Sequence, residues 1–116
     1  MANPNGRKGA LFETSVMKWL RERGVSAERL TKAGSKDEGD IVCVVANKTY
    51  IFELKNRKAI TLPAFWDEAV TEAHNYAVAR GLEETPPAYV IIKRRNAGIE
   101  KSWVVQDLEQ WLGTRE

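Results

Sequence analysis

The sequence predicts an α/β fold, a mixed sheet flanked by helices, and three observations predict it. Two amphipathic stretches, about Lys8 to Arg23 and Thr61 to Arg80, carry apolar residues at helical spacing, and each stops at a glycine, Gly24 or Gly81. Short β-branched runs lie between and after them, the clearest being a pair broken by a turn at Asn47-Lys48. The order reads α, (β), β, β, α, β, β, α, and strands interleaved with helices bury their apolar faces by layering helices on a sheet. A chain of 116 residues without internal repeats makes one domain, 1–116.

Residues 1–6, with Asn, Pro and Gly, read as a flexible tail. The first helix presents Phe12, Val16, Met17, Trp19 and Leu20 on one arc. A weak strand at Ala27–Thr31 precedes a polar loop, Lys32 to Gly39. Strands Asp40–Ala46 and Thr49–Lys55 follow, apolar on both pleat faces, as suits the middle of a sheet covered on both sides. In the second helix Thr61 is placed to cap, Pro63 is tolerated in the first turn, and the apolar arc holds Leu62, Phe65, Trp66, Ala69, Val70, Ala73, Tyr76 and Ala77. Beyond Pro86-Pro87 come the strand AYVIIK, the turn RRNAG, a strand Lys101–Val105, and a short helix capped by Asp107 with Gln110 three residues on.

Composition excludes several classes. The chain is 43% hydrophobic and 29% charged, as in a soluble globular domain, and no apolar run approaches the roughly 20 residues of a spanning helix. The N-terminus has no secretory h-region, and the single Cys43 makes neither an internal disulfide nor a zinc cluster, so a cytoplasmic setting is expected. Cys43 reads as a small buried hydrophobe in a strand, and the lone His74 as structural or solvated. The net charge of +2 is segregated: residues 1–36, 55–61 and 87–101 are basic, whereas 62–86 hold Asp67, Glu68, Glu72, Glu83 and Glu84 against Arg80. That pattern fits either a basic face for a polyanion or solvated surface patches.

The chemistry concentrates in GDIVCVVANKTYIFELKNRK, residues 39–58. A two-residue turn at Asn47-Lys48 sets Ala46 opposite Thr49, Val42 opposite Glu53 and Asp40 opposite Lys55. Period-two alternation then points Asp40, Glu53 and Lys55 to one face. Charged groups at the end of buried strands need compensation, and a divalent cation between the carboxylates would supply it. Glu13 falls inside the apolar arc of the first helix, so it either joins this site or pairs with a base at the rim.

Asp40, twelve intervening residues and Glu53-x-Lys55 resemble the PD-(D/E)xK nuclease signature. With Gly9-Ala10-Leu11-Phe12-Glu13, Gly39-Asp40-Ile41 and Phe52-Glu53-Leu54-Lys55, residues 8–92 look most like the archaeal-type Holliday-junction resolvases and their phage relatives. Gly39 stands where that signature usually has proline. The resemblance implies a restriction-endonuclease-like αβββαβ core and a metal-dependent endodeoxyribonuclease that resolves four-way junctions by phosphodiester hydrolysis. It implies Mg²⁺ or Mn²⁺ on Asp40, Glu53 and the Leu54 carbonyl, Glu13 completing the shell, and Lys55 at the attacking water and the phosphate. It also implies branched DNA as partner and a homodimer, since a junction needs two symmetric nicks.

Expected DNA contacts are Arg7, Lys8, Lys32, Ser35, Lys36, Asn56, Arg57 and Lys58, with Ser35 matching a serine on a loop near the resolvase site. Glu72 and Tyr76 resemble the Gln-x-x-x-Tyr pattern of RecB-like nucleases, with Glu in place of Gln, and form an auxiliary pair. Alternative readings are a RecB-like or restriction-type nuclease on other DNA, or a catalytically idle nucleic-acid-binding module.

Overall fold

The computed structural model describes residues 4–30 and 37–114, with side chains from Lys8 onward. Its elements are α1 (Pro4–Glu22), β1 (Ser26–Arg29), β2 (Ile41–Val45), β3 (Lys48–Lys55), α2 (Leu62–Ala79), β4 (Ala88–Ile92), a 3-10 turn (Ile99–Lys101), β5 (Trp103–Val105) and α3 (Leu108–Gly113). The strands form one sheet in the order β1-β2-β3-β4-β5. Only β3 and β4 are parallel, and α2 is their crossover. The αβββαβ order and the mixed sheet are those expected. None of the described helices is long and apolar enough to cross a membrane.

Two cores sandwich the sheet. On one face Phe12 and Val16 of α1 pack on Ile41, Cys43, Leu54, Tyr89 and Ile91. On the other, Phe65, Ala69 and Ala73 of α2 pack on Ile51, Ala88, Val90 and Ile92. Both helices end as anticipated, in Schellman motifs: Gly24 and Gly81 take φ of +80° and +62°, and the next residues, Val25 and Leu82, donate back to the Leu20 and Ala77 carbonyls.

Several boundaries differ from expectation. Helix α1 begins at Pro4, so the expected tail of residues 1–6 is helical from its fourth residue; proline's fixed φ suits a first helical position. Thr61 sits at the α2 N-cap, but only its carbonyl is used, accepting from the Phe65 N–H. The buried arc of α2 is Phe65, Ala69, Glu72, Ala73 and Ala77, rotated so that Leu62 and Val70 face solvent and Glu72 turns inward. Strand β5 starts two residues late because Ile99–Lys101 coil into the 3-10 turn. Asp107 caps α3 as expected, taking the Gln110 N–H at 2.8 Å, while the Gln110 amide reaches the Ala88 carbonyl instead of closing a capping box.

The hairpin register is also corrected. Val45 pairs with Lys48 and Ile41 with Phe52, so the turn residues are Ala46 and Asn47, at φ of +51° and +66°. A two-residue hairpin turn of type I′ matches the strand twist with both central residues left-handed, and placing Ala46 and Asn47 there spares Lys48 that conformation. Val42 therefore faces Ile51, not Glu53. Moving the turn by one residue slides the pairing by two, which leaves the paired side chains of β2 and β3 on their expected faces, although Asp40, expected opposite Lys55, lies beyond the paired residues.

Candidate active site

The functional end of the hairpin is where β2 stops short of β3. The Asp40 N–H bonds to the Phe52 carbonyl at 3.0 Å, although Phe52 pairs with Ile41. Asp40 and Ile41 thus both lie against Phe52 of β3, as in a β-bulge, a device that re-aims a side chain. Asp40 Oδ2 accepts the Leu54 N–H at 2.8 Å, taking the place a further β2 carbonyl would have filled. Gly39 makes this possible. Its φ is +102° and a Cβ there would lie 2.7 Å from Ile51 Cγ2, a conformation and a closeness that the motif's usual proline could not accept.

Leu54 shares its hydrogen-bonding side with Phe52, toward β2, whereas Ile51 and Lys55 bond toward β4 through Pro87 and Lys93. With β2 ended, the Leu54 carbonyl faces the same opening as the Asp40 carboxylate. Glu53 and Lys55 alternate with Leu54 and face α2. Both are buried, with Lys55 Nζ 3.6 Å from Glu53 Oε1 and 2.9 Å from Glu68 Oε2. Glu53 Oε2 is buried with no hydrogen-bond partner among the described residues. Glu13 arrives from the other layer, on α1, and shares a hydrogen bond with Asp40. The site is therefore assembled from three directions, with the Asp40 carboxylate at the end of the ladder and Glu53 and Lys55 on the α2 face.

Its electrostatics follow from crowding acids away from water. Burial, then the Asp40 hydrogen bond and charge, push the Glu13 carboxyl up to about 7, against a pull from Arg29. Asp40 is raised as well, mainly by burial, although the Leu54 N–H, Glu13 and Lys55 pull it down. Glu72 is pushed up to about 9, by burial first and then by Asp37.

Above these groups opens a cleft of about 820 Å³. Glu13, Asp40, Glu53, Leu54 and Lys55 line it together with Lys8, Asn56, Arg57, Lys58 and Glu68. Acids converge within it, and exposed cations from the α1 N-terminal half and the segment after β3 stand beside them. Arg57 also lies over the Phe65 ring, 5.8 Å from its centroid. Of the residues expected to contact DNA, Lys8, Asn56, Arg57 and Lys58 line the cleft. Arg7 lies in α1 without a described side chain, and Lys32, Ser35 and Lys36 lie outside the described residues. The auxiliary pair separates: Glu72 turns in toward Glu53, while the Tyr76 ring sits under the Arg80 guanidinium at 3.7 Å. Arg80 in turn ties Glu38 to α2, anchoring the approach to Asp40.

Glu68 was missed by the sequence reading, which placed it only in an acidic segment. The available signal was its i, i+4 spacing from Glu72 on the edge of a helix whose core arc contains Glu72. Asp37, whose side chain accepts the Gly39 N–H and whose charge acts on Glu72, carried no sequence signal.

A family model described as archaeal Holliday junction resolvase (Hjc) matches residues 4–77, which span α1, the hairpin and most of α2. The chain belongs to that family. By family it is a Holliday-junction-resolving nuclease, and every acid of the cleft lies in the matched span. Among solved structures, the 1.6 Å structure of Archaeoglobus fulgidus Hjc, titled a Holliday junction resolvase from an archaeal hyperthermophile, is similar with a TM-score of 0.54 and 24% identity over 85% of this chain and 88% of that one. At that identity the likeness speaks for the fold. No curated protein sequence matches.

Proposed function

We propose that the resolvase cuts four-way DNA junctions at this cleft by metal-assisted phosphodiester hydrolysis. The observation that carries the reading is the buried Glu53 carboxylate, with one oxygen unpartnered among the described residues, next to Lys55 and lining the same cleft as Asp40. Oxygen donors of this kind suit a hard divalent ion, Mg²⁺ or Mn²⁺. Asp40, Glu53, the Leu54 carbonyl and Glu13 would hold it, and when bound it would lower the pKa of water and offset charge on the phosphate.

The remaining work belongs to the chain. The Leu54 N–H fixes the Asp40 carboxylate, so its free oxygen is already aimed. Glu13 and Asp40, both pushed toward the protonated form by burial, would give up a proton to make room for a cation. Lys55, braced by Glu68, supplies a positive charge and a donor for the attacking water or a phosphate oxygen. Lys8, Asn56, Arg57 and Lys58 take neighbouring phosphates, contacts that position DNA without reading sequence. Two symmetric nicks require two such clefts, hence a two-fold homodimer.

The test is incubation with labelled four-way junction, flap and linear duplex, in Mg²⁺, Mn²⁺ or chelator. Paired nicks in the junction, with metal only, are expected. Equal cutting of linear duplex would remove the junction assignment, and binding without cutting in metal would leave an idle fold.

A further inference from the structure

Glu53 has a second acidic neighbourhood, formed with carboxylates of α2. Carboxylate oxygens of Glu53, Glu68 and Glu72 lie within 4.8 Å of one another. Glu53 is 5% exposed and Glu72 3%, and each has a buried Oε2 with no hydrogen-bond partner among the described residues. Three carboxyl groups this close need positive charge or protons among them, and an unpaired buried carboxylate oxygen is costly in its own right. Lys55 supplies one charge through Glu53 Oε1 and Glu68 Oε2 but leaves both orphaned oxygens unserved.

We propose that Glu53, Glu68 and Glu72 form a second divalent-cation site, for Mg²⁺ or Mn²⁺, next to the one at Asp40. Glu53 is the shared ligand, one carboxylate oxygen turned to each ion. Two ions joined in this way are a recurring solution for displacements at phosphorus, where both attacking and leaving oxygens need stabilising. Lys55 serves as the internal cation of the triad until the ion arrives. The inference rests on the nuclease reading for the ion at Asp40, while binding at the triad is separately measurable.

The experiment is a titration of the full-length chain with Mn²⁺ in the absence of DNA, counting free ion by electron paramagnetic resonance. Two ions per chain are expected. Glu68→Gln and Glu72→Gln each weaken one of them by at least about 10-fold and spare the other, whereas Asp40→Asn weakens the other. The Glu68 side chain is 44% exposed, so glutamine is accommodated there, and melting in chelator checks that both variants fold. One ion per chain that responds to Asp40→Asn alone would overturn the second site and leave the catalytic reading standing, as would a Glu68→Gln/Glu72→Gln double variant with both affinities intact. An ion lost with Glu68 or Glu72 but indifferent to Asp40 would uphold the triad and displace the metal from Asp40.

Discussion

At the Ala46-Asn47 end of the β2–β3 hairpin the strands run into solvent, with Val44 39% and Val45 43% exposed. At the Asp40–Lys55 end Glu53 and Lys55 are each 5% exposed between two helices. The ordinary distribution is inverted along a single pair of strands: valines out, carboxylate and ammonium in. Folding alone favours the reverse, since the exposed valines forgo burial and the buried charges must be compensated. The turn end needs only to fix which side chains share a face. The other end departs from regular sheet, with a bulge, a left-handed glycine and an aspartate in place of a carbonyl. Such local departures collect where a site is being positioned.

Substitutions at the two ends should therefore separate activity from stability. The largest effects are expected at the charged end: Glu53→Gln or Lys55→Ala should lower single-turnover junction cutting by about 10²–10⁴-fold, with junction binding retained in gel-shift. Retention of near wild-type cutting would move the site elsewhere. Glu13→Gln should cost less, about 10–100-fold, and more Mg²⁺ should recover part of the rate, because it supports Asp40 from the neighbouring layer.

A third effect is thermodynamic. Glu13 and Glu72 ordinarily titrate near 4.5 and are pushed up to about 7 and about 9 in the fold. Between these values the native state holds more protons than the unfolded chain, so stability falls as pH rises. In chelator the melting temperature should drop from pH 5 to pH 9, and Glu72→Gln should flatten the upper part of that slope. A melting temperature that rises across the window would contradict the buried-acid description. The smallest effect belongs to the turn. Ala46→Gly relieves a left-handed alanine and should raise stability by about 0.5–1 kcal/mol in denaturant melts, with cutting unchanged.

The same contrast explains what the sequence made legible. The sequence pattern puts the turn one residue late, yet Glu53 and Lys55 keep their faces because the pairing slides by two. Glu13 stood out as an acid inside an apolar helical arc. Glu72 carries the same signal on α2, obscured because Leu62 and Val70, though apolar, face solvent and tilt the apparent arc away from it. Glu68 was hidden because a half-exposed acid on a helix flank looks like any solvated charge until Lys55 is seen beside it. The bulge at Asp40 depends on where β2 ends against β3, which no local pattern states.

The central claim is that a divalent ion sits at the open end of the hairpin. Loading the protein with Fe²⁺ and adding ascorbate and peroxide cuts backbone next to the bound ion, and the fragments can be mapped by mass spectrometry. Scission close to Asp40 and to Glu53–Lys55, suppressed by excess Mg²⁺ and lost in Asp40→Asn, is the predicted result. Scission confined to other segments, or unaffected by Mg²⁺ and by Asp40→Asn, would contradict the account.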